Sequence, residues 1–204
     1  MDKFQNKYRI PSARAPFWDY GCSASYFVTI CTYNQVCYFG NIVEGEMVLS
    51  DIGRIVNTEW LKTFELRPDM NLYMGEYVIM PNHFHAIIDI GENKYNTKQD
   101  VIGENTLHCV NVGGRDAMHC VSTAADITNS HTKNKFGPQS KNLPSIIRGF
   151  KIGVTKRARI INKGFAWQTR YHDHIIRNDK SYNSIEEYII NNPENWEEDN
   201  FFNQ

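Results

Sequence analysis

His83 and His85 stand one residue apart in the run MPNHFHAIIDI at 80–90. In an extended strand, residues i and i+2 project from the same face, so the two imidazoles lie side by side with ring nitrogens in reach of one cation. Phe84, Ala86, Ile88 and Ile90 take the other face and lock the strand onto a core. The pattern reads as half of a metal site; an ordinary polar strand face is the plain alternative. A further ligand has to come from elsewhere, and SIEEYIINN at 184–192 offers one. Tyr188 and Asn192 are four apart, one turn along a helix face. The amide oxygen of Asn192 suits a hard ion, and imidazoles suit Mn²⁺ better than Mg²⁺. Tyr188 then hangs its phenol beside the ion. A free phenol, with a pKa of about 10, is a poor nucleophile. A nearby cation in a positive surround favours the phenolate, which can attack.

These residues need elements to hold them. SYFVTICTY (25–33) has the β-branched and aromatic content of a strand. LSDIGRIVNTEWLKTF (49–64) reads as a helix capped by Ser50, with Ile52, Ile55, Val56, Trp60 and Phe64 at helical spacing. Two more strands, 71–80 and 84–90, are joined across Pro81-Asn82 by a hairpin-short link, which makes them antiparallel. LPSIIRGFKIGVTKRARII (143–161) is a basic amphipathic helix. FAWQTRYHDHIIRN (165–178) reads as a short strand or strand pair, and 184–192 as a short helix stopped by Pro193. The order gives an α+β domain of the split βαβ kind: a small antiparallel sheet with helices packed on it. Residues 91–140, rich in Asn, Thr, Gly, Ser and Lys, read as a long inserted loop within a single domain spanning 1–204. That loop holds an echo, LHCV at 107–110 and MHCV at 118–121. It sets His108-Cys109 and His119-Cys120 in a repeated context that points to duplication rather than to a zinc site.

The 204 residues are 41% hydrophobic and 13% aromatic, enough for a proper core. The net charge of −1 hides an asymmetry. Residues 141–180 carry ten Lys or Arg and two acids, and 181–204 carry six acids and no Lys or Arg. Five cysteines with no CxxC pair point to reduced thiols in a cytoplasmic protein. No stretch has the roughly 18 apolar residues of a membrane span. Arg148, Lys151, Lys156, Arg157 and Arg159 on the basic helix, with Arg9 and Arg14 from the N-terminal arm, could grip phosphates, although such a helix taken alone reads as a solvated face. Phe17, Trp18 and Tyr20 are candidates to stack on splayed bases.

VIMPNHFHAII resembles the HUH motif of the single-tyrosine transposases. WQTRYHDHIIRN followed by YIINNPENW resembles the C-terminal half of the REP-associated tyrosine transposases, and FVTICTYN with Phe39-Gly40 fits the same group. The resemblance covers about 8–90 and 143–196. It implies the HUH endonuclease fold, a ferredoxin-like or RRM-like antiparallel sheet with helices packed on one face. It also implies an enzyme that cuts single-stranded DNA beside a REP-like hairpin, with Mg²⁺ or Mn²⁺, through a 5′-phosphotyrosine. On this chain the family's metal histidines fall on His83 and His85, its nucleophile on Tyr188 and its amide ligand on Asn192, where relatives among insertion-sequence transposases have Gln. His174 belongs to the family pattern and reads as an active-site neighbour in a structural or substrate-contacting role. Members of such families act as monomers or homodimers. Two rival readings are a non-catalytic RRM-like nucleic-acid binder and a zinc-dependent hydrolase. The first lacks the RRM aromatic signature, and the second lacks further ligands and the length for a large barrel.

Overall fold

The computed structural model describes residues 18–97 and 140–202, together with the backbone of Lys3–Phe4 (β1) and Lys7–Tyr8 (β2), which pair antiparallel. Arg9, Arg14 and Phe17, and most of the expected insertion, lie outside the described residues. Four strands form the main sheet: β3 (Ala24–Cys31), β6 (Leu72–Ile79), β7 (His83–Ile90) and β8 (His172–Ile176). Their spatial order is β6-β7-β3-β8, and every pair is antiparallel. Helix α1 (Asp51–Glu65) follows β3, and α2 (Leu143–Ile161) connects β7 to β8. The chain order βαββαβ with the first and third sheet strands at the centre is the ferredoxin-like arrangement that the family resemblance implies.

Strand β7 shows why both faces matter. Phe84, Ala86, Ile88 and Ile90 point to the face covered by α1 and α2. There they meet Tyr26, Val28 and Ile30 of β3, Val56 and Trp60 of α1, and Ile146, Phe150 and Val154 of α2. Trp60 is the hub, edge-on to Phe84 at 5.0 Å and to Phe150 at 5.3 Å between ring centroids. Phe84 is fully buried, so Phe84→Ala should cost roughly 3–5 kcal/mol. The check is a urea titration, in which an unshifted midpoint would contradict the placement of this ring.

Two helices cover that face, and a third, α3 (Asp179–Asn191), lies on the other. Ile185, Ile189 and Tyr182 of α3 pack on Phe27, Val78, Ile87 and Ile176. This is the face on which His83 and His85 project, because they share the parity of Ile87. Helix α3 also begins five residues before the expected 184. Its first turns are polar and carry no apolar period, and the Asn178 side chain caps them by accepting from the Ser181 N–H at 2.8 Å.

A hairpin of β4 (Gly40–Val43) and β5 (Glu46–Leu49) has no counterpart in the sequence reading. Its strands are only four residues long, and its signal is the turn Glu44-Gly45, where both residues have positive φ. It leads into α1, whose Ser50 side chain accepts from the Gly53 N–H. Gly53 sits so close to the Phe39 carbonyl that a Cβ there would lie 2.1 Å from that oxygen. Cys31 and Cys37 are free thiols, whereas Cys22 is disulfide-bonded, which corrects the expectation of five reduced cysteines for that residue. Among the described residues no helix is long and apolar enough to cross a membrane.

Candidate active site

The hairpin turn at Pro81-Asn82 brings β7 back beside β6 and starts it at His83, directly opposite Cys31 of β3. His83 and His85 project on the α3 face with ring centroids 4.5 Å apart. Helix α3 carries Tyr188 over this pair, and its hydroxyl lies 3.3 Å from His85 Nε2. Asn192 caps the end of α3 and is buried. The four residues singled out by spacing therefore meet in one place, from two elements of one chain.

A fifth residue joins them. The short helical turn Trp196–Glu198 folds the chain back, and Asp199 enters the site behind it. Asp199 Oδ2 accepts from Asn192 Nδ2 at 3.1 Å and from the Tyr188 hydroxyl at 3.5 Å, and lies 4.0 Å from His83 Nε2. Asp199 Oδ1 accepts from the Phe201 N–H at 2.7 Å. The Phe201 ring lies against His83, centroids 4.6 Å apart, and Trp196 closes the other side at 5.9 Å. The sequence reading counted Asp199 only as part of an acidic tail. Nothing in its spacing from the histidines marks it, because the fold-back of 193–202 alone brings it in.

The site suits a metal ion. Ligand atoms of His83, His85 and Asp199 all lie within 4.8 Å of one another. His83 Nε2 and Asn192 Oδ1 are buried without a hydrogen-bond partner. An unpaired buried polar atom costs about 1–3 kcal/mol, and an ion bound here relieves that cost. The donor set of two imidazole nitrogens and hard oxygens matches a divalent ion such as Mn²⁺ or Mg²⁺.

Burial also sets the protonation states. Both histidines are pushed down to about 3 by desolvation, with repulsion from His83 adding to the shift at His85. Both are therefore neutral, the form that binds metal, throughout the physiological range. In the unfolded chain they titrate near 6.5. Acidification below 6.5 thus loads protons on the unfolded chain first. Their contribution to stability is complete above pH 6.5 and is lost as pH falls toward 3, by about 1.4 kcal/mol per imidazole per pH unit. Denaturation in EDTA should show the midpoint falling between pH 7.5 and 5.5, with a smaller fall in a His83→Ala/His85→Ala protein. Equal slopes would contradict the buried placement.

The surround of Tyr188 differs from the positive one expected. Burial raises the phenol above its usual value, and the Asp199 carboxylate raises it further. The charged neighbour is an acid, so the phenolate needs a bound cation to offset it.

The basic candidates divide. Arg148, Lys151, Lys156 and Arg159 line a cavity of about 950 Å³ between α2 and residues 166–171. Lys151 spends its ammonium on the carbonyls of Gln168 and Arg170, at 2.8 and 3.0 Å. Arg157 turns away to Glu59 of α1 at 3.1 Å. Gln168, which lines this cavity, donates its N–H to the carbonyl of Cys31, the residue paired with His83. Tyr20 is not available to stack on bases, and Trp18 is partly buried. Trp18 Nε1 donates to Tyr26 Oη at 3.0 Å, and Tyr20 is buried against Tyr26. His172 and His174 lie on the exposed edge strand β8, on the same face as His85 through the rows Thr29–His172 and Phe27–His174.

No protein-family profile matches the chain. A Haemophilus influenzae protein, described as an uncharacterized protein, is 35% identical over 192 residues, which span 94% of this chain and 92% of its own. The chain belongs to the family of that protein. Among solved structures, that of a REP-associated tyrosine transposase bound to a REP hairpin is similar over 95% of this chain and 73% of its own, with a TM-score of 0.50 and 18% identity. That likeness shows the fold, the α+β HUH transposase architecture with a four-stranded antiparallel sheet.

Proposed function

We propose that this family member is a metal-dependent, transposase-like enzyme that cuts and rejoins single-stranded DNA beside a REP-like hairpin through a 5′-phosphotyrosine. The observation that carries the reading is the approach of the Tyr188 hydroxyl to within 3.3 Å of His85 Nε2, at the mouth of the His83–His85–Asp199 group. The fold shared with a transposase bound to a REP hairpin supports it. His83, His85 and Asp199, with Asn192 beside them, would hold the ion, which when bound would supply Lewis-acid polarisation of the scissile phosphate. Tyr188 Oη forms the new bond to phosphorus, in line with the bond that breaks. The DNA 3′ oxygen departs with the bonding pair and takes a proton from water. Tyr188, half-exposed at the mouth of the site, gives its phenol proton to solvent water. The phosphodiester energy stays in the tyrosyl ester, so the freed 3′-OH can reverse the step without ATP. All of these groups come from one chain, so a monomer suffices.

End-labelled hairpin-bearing single strands, taken from the DNA flanking the gene, test the reading. Cleavage with Mn²⁺ and none with EDTA is expected. Binding that ignores EDTA, with no cleavage of any strand, would instead make the chain a non-catalytic nucleic-acid binder.

The strand's backbone is assigned to the cavity beside α2, where Arg148, Lys156 and Arg159 are exposed, Arg159 with its Nε donating to the Phe165 carbonyl at 3.0 Å. Phosphate contacts of this kind release counterions, with a slope of log K against log salt of about −0.7 per contact on a single strand. Lys156→Ala and Arg159→Ala should each flatten that slope by roughly one contact, whereas Arg157→Ala, already paired with Glu59, should not. Fluorescence anisotropy across salt concentrations reads this, and equal slopes for all three proteins would remove the cavity from the DNA path.

A further inference from the structure

Each active-site histidine has its Nδ1 tied inside the protein, while His83 Nε2 has no hydrogen-bond partner and His85 Nε2 meets the Tyr188 hydroxyl at 3.3 Å. His83 Nδ1 lies 2.9 Å from Asn82 Oδ1, and His85 Nδ1 lies 2.9 Å from Thr29 Oγ1. The Nε2 atoms are the ones turned to Asp199 and Tyr188. At His83 the direction of the hydrogen bond is fixed by what surrounds the amide. Asn82 Nδ2 donates to the carbonyls of Gln35 and Phe201, at 3.2 and 2.7 Å. Both partners only accept, so the amide nitrogen belongs on that side and its oxygen must face the imidazole. The oxygen also only accepts. His83 Nδ1 therefore carries the hydrogen, and the lone pair is on Nε2. Asn82 is itself fully buried and held by the Thr32 hydroxyl, which donates to its carbonyl at 2.9 Å.

Thr29 sits at the equivalent place for the other ring. It is buried, directly opposite His85 in the β3–β7 register. Its hydroxyl can accept the Nδ1 hydrogen, while the Tyr188 hydroxyl faces Nε2.

We propose that Asn82 and Thr29 are positioning residues for the metal: each accepts the Nδ1 hydrogen of its histidine and so aims both Nε2 lone pairs at one point. This rests on the metal-dependent reading above. Residues that orient a ligand imidazole through its second nitrogen typically govern metal affinity by 10- to 100-fold. Neither residue belongs to the His83–His85–Asp199 group whose ligand atoms converge, and neither carries the nucleophile.

Two measurements test it. Long-range ¹H–¹⁵N correlation spectra of the wild-type protein in EDTA at neutral pH should show both His83 and His85 as the Nδ1–H tautomer. An Nε2–H tautomer at either ring overturns the assignment at that ring, whatever the variants do. Separately, Co²⁺ is titrated and followed by visible absorption. Thr29→Val keeps the β-branched shape and removes the acceptor, so it should weaken Co²⁺ binding roughly 10- to 100-fold, and Thr29→Ser should restore it. Asn82→Ala should weaken binding to a similar degree. Wild-type affinity in Thr29→Val overturns the positioning role while leaving the metal site standing. A wild-type protein that takes up no Co²⁺ overturns both.

Discussion

Tyr188→Phe protein binds a hairpin-bearing single strand as tightly as the wild type and forms no covalent adduct with it. The substitution removes one oxygen, half-exposed at the mouth of the site, and leaves the ring in place. That ring packs edge-on to Phe27 at 6.2 Å and to His85 at 5.3 Å, so the fold keeps its contacts. The lost hydroxyl makes only long hydrogen bonds, at 3.3 and 3.5 Å, and little stability goes with it. The thiol of Cys31, the nearest alternative nucleophile by register, is pushed up to about 11 by burial and is protonated at neutral pH. Adduct formation on denaturing gels should fall to background. An adduct of wild-type yield in the Phe protein would remove Tyr188 from the mechanism.

Loss of a histidine has the second large effect. His83→Ala or His85→Ala deletes one of three groups that converge within 4.8 Å. Electrostatic stabilisation of a transferring phosphoryl group is worth on the order of 10²–10³ in rate per contact removed. Cleavage with Mn²⁺ should drop by at least that factor, and Mn²⁺ affinity measured by electron paramagnetic resonance should drop with it. The folded state should persist, because both rings lie on the α3 face and the main core of Trp60, Phe84 and Phe150 lies on the other. A variant that keeps its Mn²⁺ affinity would place the ion elsewhere.

What could be read from the residues alone was whatever repeats with the period of a strand or a helix. The i, i+2 spacing of His83 and His85 put both on one face, and the i, i+4 spacing of Tyr188 and Asn192 put both at one end of α3. The basic helix at 143–161 matched in its bounds, with an apolar stripe from Leu143 to Ala158, whereas Ile161, expected on that stripe, is exposed. Features without a period were not legible. Asp199 reaches the site through an irregular fold-back, and its partners Asn192 and Phe201 give no hint in the order of residues. The face on which α3 packs was hidden for a related reason. Its apolar residues Ile185 and Ile189 have helical spacing, but spacing does not say which side of the sheet they meet. Charge misled in its own way. Arg157 and Lys151 look like their neighbours in the sequence, yet one is spent on Glu59 and the other on two carbonyls. Phe17, Trp18 and Tyr20 read as base-stacking candidates because an arm rich in Arg, Pro and aromatics suits that role. The Tyr26 ring draws Tyr20 into the core instead, and its hydroxyl holds the Trp18 indole N–H at the core's edge.

The central claim is that the phenol of Tyr188 works on a phosphate held against a metal between His83 and His85. The most direct test is to trap the reaction with a hairpin-bearing single strand and Mn²⁺, digest the protein, and locate the 5′-phosphonucleotide by mass spectrometry. The account predicts a single modified peptide, with the mass on Tyr188 and none formed in EDTA. A modification on any other residue, or one that forms equally well in EDTA, would contradict it.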